Sequence, residues 1–116
     1  MNEVGALQRV FHNEVVAMGQ LTAGVYSKTF KSVSDLPQHS IAIAITGSPT
    51  GVVSVRARPV GGAGFTKIAI ENIDLAAENM LCWSITGFFD AFALVVTTGV
   101  ASGSIQLLVS SCVDGL

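Results

Sequence analysis

The sequence predicts an all-β fold, an antiparallel two-sheet β-sandwich of jelly-roll or Ig-like type with an N-terminal arm. Three observations carry this. Apolar residues alternate with period two through most of the chain after residue 40, as in Ile41/Ile43/Ile45 and Val53/Val55/Ala57, so each segment turns one face to a core. The alternating positions are rich in β-branched and aromatic residues. Glycine-rich breaks such as "TGSPTG", "GGAG" and "TTGVASGS" separate the segments, and strand centres recur about every 12 residues, the spacing of a sandwich or barrel.

The elements follow in order. Residues 1–39 read as an arm plus one added strand. Val4, Leu7, Phe11, Val15 and Met18 fit a helical stripe with Asn2 in capping position, but Gly5 and the Val15-Val16 pair fit an extended chain equally well. "TAGVYSKTFKSV" reads as the added strand and "SDLPQHS" as a linker into the body, residues 40–116. There the strands centre on Ile43, Val55, Ile68, Trp83, Leu94 and Leu107. "TGSPTG" and "GGAG" are expected to close hairpins, and "ENIDLAAENML" to be a loop between strands. Leu81, Trp83, Ile85, Leu94 and Leu107 are the expected core, with Cys82 a small core residue beside them. Cys82 and Cys112 could pair, but two cysteines make no disulfide framework, and the sequence leaves their pairing open.

Composition narrows function. Half of the 116 residues are hydrophobic, only 12% are charged, and mean hydropathy is +0.61. Charged residues in soluble domains usually make up about a quarter. Apolar runs such as Phe92–Val96 fall far short of the roughly 20 residues of a membrane-spanning helix, and "MNEVGALQRV" lacks the features of a signal peptide, so no membrane is expected. A net charge of −2 without a basic stripe makes nucleic acid a poor partner. Ala42, Ala44, Val95 and Leu108 stand where outward residues of an antiparallel sheet are normally polar. Exposed apolar surface of this kind marks an interaction face.

No chemistry emerges from the ionisable residues. His12 and His39 both fall outside the expected strand core; His39, Asp90 and a serine could form a triad on paper, but no nucleophile elbow accompanies them. Glu71, Asp74 and Glu78 lack the spacing of a calcium loop and read as a solvated loop. Arg56 and Arg58 read as a solvated strand face. "GGAG" precedes a strand, not a helix, so it is no phosphate cradle. Catalytic, metal and cofactor residues are therefore expected to be absent, and the chain is expected not to be an enzyme.

The stretches "IAITGSPTGVVSVRARP" (43–59) and "FDAFALVVTTGVASGSIQLLVSS" (89–111) resemble paired hairpins of small β-sandwich accessory proteins of tailed-bacteriophage virions. The resemblance spans Ile41 to Ser111 and rests on turn chemistry and patterning. It implies a non-enzymatic structural protein of the virion, synthesised in the host cytoplasm, that decorates or cements the capsid. The implied partners are copies of itself in a homo-oligomer, major capsid protein subunits, or both. The expected interface residues are Val4, Leu7, Phe11, Val15 and Met18 in the arm, and Val95, Leu108, Phe65 and Phe89 on outer strand faces and loops. The alternative is a tail or fibre module that binds a host-surface saccharide, with Phe65, Phe88 and Phe89 near loop tips.

Overall fold

The computed structural model describes residues 11–29, 36–67, 70–77 and 81–112. Seven strands cover most of them: β1 (Phe11–Gly19), β2 (Gly24–Thr29), β3 (Gln38–Pro59), β4 (Thr66–Lys67), β5 (Ile73–Asp74), β6 (Cys82–Thr86) and β7 (Phe89–Cys112). Every pairing is antiparallel, and the described residues contain no helix. The all-β, antiparallel expectation holds.

Two long strands organise the fold. β3 and β7 pair from Gln38↔Cys112 at one end to Pro59↔Phe89 at the other. At about 3.3 Å per residue, strands of 22 and 24 residues would run roughly 70–80 Å if straight. The molecule is only 52 Å in its longest dimension, so both strands bend. The bend lies where the register slips between Gly47 and Val53, opposite Thr98–Gly103, and Gly47, Gly51 and Ser102 there have positive φ.

This corrects one expectation. "TGSPTG" and "TTGVASGS" do not close hairpins; they lie inside β3 and β7 and face each other across the bend. A positive-φ glycine serves a bulge as readily as a tight turn. Each stretch finds its hydrogen-bond partner in the other, so neither chain reverses. The turns at "GGAG" and "GFFDA" do connect strands, β3 to β4 and β6 to β7; Gly62 N–H donates to the Pro59 carbonyl at 2.8 Å.

The bend divides the sheet into two halves. In the first, β1 and the C-terminal part of β7 lie beside the N-terminal part of β3 and β6. In the second, β2 and the N-terminal part of β7 lie beside the C-terminal part of β3, with β4 and β5 beyond. Hydrogen bonding runs as one continuous sheet through the bend. One hydrophobic core serves both halves. It joins Ile41, Ile43, Ile105, Leu107 and Val109 of the first to Val53, Val55, Phe92, Leu94 and Val96 of the second. Lys28 on β2 and Glu14 on β1, edge strands of different halves, meet at 3.0 Å.

Leu94 and Leu107 are fully buried, while Leu81, Trp83 and Ile85 pack against the core's border. Cys82 corrects a second expectation, for it is exposed. In β6 the odd positions Trp83 and Ile85 turn inward, which leaves Cys82 and Ser84 facing out. Cys82 and Cys112 are not bridged to each other. Residues 11–19 are extended and pair with β7 from Phe11↔Cys112 to Gly19↔Ile105. They form an edge strand of the chain's own sheet, whereas Val4 and Leu7 lie outside the described residues.

Candidate functional site

Alternation on β3 sends Val53, Val55 and Ala57 into the core and Arg56 and Arg58 to the opposite, outer face. In register beside them stand Val95 opposite Ser54 and Ala93 opposite Arg56; one strand further, Val25 pairs with Val95. Phe65, from the turn before β4, closes the row. Val25, Arg56, Phe65, Ala93 and Val95 line a shallow depression of about 360 Å³. Its floor is aliphatic, and Val25 is 64% exposed.

Charged residues border the depression. Arg58 Nε donates to Asp90 Oδ1 at 2.9 Å, and the Arg58 guanidinium lies 5.9 Å from the centre of the Phe65 ring, within cation–π range. Arg56 meets Glu71 less closely, with Nη2 3.5 Å from Oε1. Arg56 Nε and Glu71 Oε2 are buried and have no hydrogen-bond partner among the described residues. Glu71 is brought there by the segment after residue 70, which hydrogen-bonds along β3: Val55 N–H donates to the Ile70 carbonyl, and Asn72 N–H to Ser54 Oγ, both at 3.0 Å.

The first half-sheet carries a second outer patch. Val15 pairs with Leu108, which pairs in turn with Ala42. Met18, on the same edge strand, is 63% exposed. The expected interface residues thus divide between two patches, with Val15, Met18 and Leu108 on one and Val95 and Phe65 on the other. Phe89 corrects the expectation for outer residues. It packs against the core, its ring 5.5 Å from that of His39 and 6.1 Å from that of Phe92. Phe11 pairs through its backbone with Cys112; its side chain lies outside the described residues. Sequence reasoning missed Val25 and treated Arg56 as solvated. The alternation of Val25 with Tyr26, whose ring packs on the core, was the signal for the former.

His39 is a further correction, because it is buried within β3 rather than outside the strand core. Its Nε2 lies 2.7 Å from the Gly87 carbonyl and its Nδ1 2.7 Å from Ser111 Oγ. A carbonyl only accepts, so Nε2 carries the proton and the Ser111 hydroxyl donates to Nδ1. Phe89 and Phe92 flank the ring. Ser111 is only 1% exposed, and Asp90 is engaged by Arg58, so the three groups of the paper triad do not meet.

Burial lowers the His39 pKa below its ordinary 6.5, and the bond to Gly87 opposes that shift in part. The unfolded chain therefore takes up this proton at higher pH than the folded one. The stabilising contribution is complete above about pH 6.5 and declines as pH falls through that value toward the lower folded pKa. Urea midpoints measured across this range should fall on acidification, and a His39→Gln variant should lack that component. An unchanged pH profile in the variant would contradict the assignment.

No protein-family model matches the sequence, and no curated protein matches it. The fold is nevertheless similar to solved structures along nearly the whole chain. One is YomS, a protein derived from the SPBc2 prophage, with a TM-score of 0.62 at 7% identity, covering 90% of this chain and 95% of that one. A second is a chain of the acidic-stable capsid of Helicobacter pylori bacteriophage KHP30, with a TM-score of 0.55 at 16% identity, covering 93% and 94%. A third belongs to the disulfide-linked pili that are Bacillus endospore appendages, with a TM-score of 0.52 at 18% identity, covering 92% of each chain. At these identities the likeness is one of fold.

Proposed function

We propose that this protein is a non-enzymatic structural component of a tailed-phage virion that decorates or cements the capsid shell. The observation that carries the reading is the end-to-end fold correspondence with a phage capsid chain of nearly equal span. The outer faces add physical support. Both half-sheets turn apolar side chains outward, which suits a protein that works covered by neighbours. Burial contributes about 25 cal/mol per Å² of apolar surface but must first offset several kcal/mol of lost freedom on association. Two patches and an arm acting together meet that requirement better than one shallow depression. The saccharide alternative is weaker, since Phe89 faces the core and Arg58 lies against Phe65. Quantitative mass spectrometry of purified virions tests the reading: the chain should be present in fixed ratio to the major capsid protein, and its absence would contradict the proposal.

The arm enters this reading through residues 1–10, because Phe11–Gly19 is an edge strand of the chain's own sheet. Val4 and Leu7 are proposed to dock on a neighbouring subunit. A chain lacking residues 2–10 should unfold cooperatively, with stability within about 0.5 kcal/mol of the parent, and yet be depleted from particles. Normal incorporation would remove the arm from the mechanism.

A further inference from the structure

A sheet edge presents unpaired backbone N–H and C=O groups, and proteins usually blunt it with charge, proline or a bulge. Most edges of this fold are accounted for. β1 and β2 are drawn together by the Glu14–Lys28 pair, and β4 and β5 have two residues each. β6 differs. Among the described residues it pairs with β3 alone, and its sequence CWSIT contains no charge, proline or glycine. Ile43 N–H donates to the Leu81 carbonyl and Gly87 N–H to the Pro37 carbonyl, both at 2.8 Å. By alternation Trp83 and Ile85 also direct their backbone groups to β3, whereas those of Cys82, Ser84 and Thr86 point away from it. These three residues are exposed. The core is thinly covered here: Trp83 and Ile85 are partly buried, and Phe88, just beyond the strand, is 57% exposed.

We infer that the β6 edge accepts, as an added antiparallel strand, the N-terminal arm of a second copy of this chain. The inference rests on the proposed docking of residues 1–10 and names where they dock. Antiparallel addition continues the pairing found throughout the sheet. With Leu7 on the inner face beside Trp83, Ala6 stands opposite Ser84, and Val4 stands opposite Thr86 on the outer face. Leu7 then covers the half-buried row of β6. The segment 4–8, VGALQ, is uncharged, as suits an uncharged edge. The chain's own arm cannot reach this position. Phe11, Cys112, Gln38 and Thr86 form one row across the half-sheet. Residue 8 would lie beside Cys82, four strand spacings across and four residues along from Phe11, about 23 Å away. The three peptide links between residues 8 and 11 span about 11 Å. The donor is therefore another copy. Such a contact is heterologous, one copy's arm entering the next copy's edge, and it builds rings or chains of subunits.

Sedimentation velocity of the full-length protein at rising concentration tests this. The parent should assemble, and amide exchange at Ser84 and Thr86 should slow by about tenfold or more as it does. Ser84→Pro removes an outward N–H at a position where an edge strand accepts proline, and Leu7→Asp places a charge in the arm. Each variant alone should unfold cooperatively yet associate about tenfold or more weakly than the parent. Mixed in equal amounts the two should form a heterodimer, since one keeps its arm and the other its edge. Unchanged assembly of Ser84→Pro would overturn the inference, as would a parent that stays monomeric with fast exchange at Ser84 at every concentration. Protection independent of concentration would mean pairing within one chain, and failure of the mixed variants to combine would mean edge-to-edge pairing; either result overturns it. If Ser84→Pro does not fold, the concentration dependence of exchange in the parent decides alone. No virion enters this assay, so assembly in solution with absence from particles would overturn the virion role and still support the docking.

Discussion

Phe92→Ala is expected to lower the free energy of unfolding by about 3–5 kcal/mol, the range for truncating a buried aromatic ring. Phe92 is fully buried and stands in the common core with Leu94 and Val96. Its ring meets His39 at 5.3 Å and Phe89 at 6.1 Å in edge-on arrangements, geometries that add to area burial. Its backbone pairs with Ala57 on one side and Lys28 on the other, so neighbouring strands resist collapse into the void. Domains of this size are stable by only about 5–15 kcal/mol, and the variant should approach the limit of folding. Urea unfolding monitored through Trp83 fluorescence measures the loss. A change under about 0.5 kcal/mol, the scale of surface substitutions, would place the ring outside the core.

Gly51→Ala should be nearly as damaging, for a different reason. Gly51 has φ of +130°, and an added Cβ would lie 2.8 Å from the carbonyl oxygens of both Thr98 and Gly99. These are backbone atoms of the opposing long strand and cannot swing aside as a side chain would. Overpacking of about 1–3 kcal/mol adds to about 1–2 kcal/mol for left-handed backbone in an L-residue, a combined loss of about 2–5 kcal/mol. Gly61 is the control: it also has positive φ, at 82°, but nothing lies within 4 Å of its added Cβ. Gly61→Ala should therefore cost only the backbone part. Equal losses at the two positions would contradict a close approach of the strands at the bend.

The bend also explains what the sequence made legible and what it hid. Strand content and the identity of Leu94 and Leu107 as core followed from local alternation, which survives in the fold because each half-sheet keeps a buried and an outer face. The hairpins at 46–51 and 97–104 were misread because glycine, serine and threonine signal departure from a straight strand without saying whether the chain reverses or merely bends. That depends on which strand lies opposite, a non-local fact. His39 was hidden for the same reason. An isolated histidine in "LPQHS" reads as solvated until Ser111 and Gly87, far away in sequence, supply its partners. The expected outer patches fared unevenly. Val95 and Leu108 could be recognised as apolar residues on an outward phase, whereas Arg56 acquires meaning only when Glu71 is carried beside it. Phe89 follows the turn that positions Gly87 under His39, and that turn directs its ring inward.

Cryo-electron microscopy of the intact virion is the most direct test of the central claim, that this sheet protein works as a covered component of the capsid shell. The account predicts density of this fold in regular array on the head, with Val25, Val95 and Phe65 against a neighbouring subunit. Density confined to the tail or fibres, or an array in which that outer face meets solvent, would contradict it.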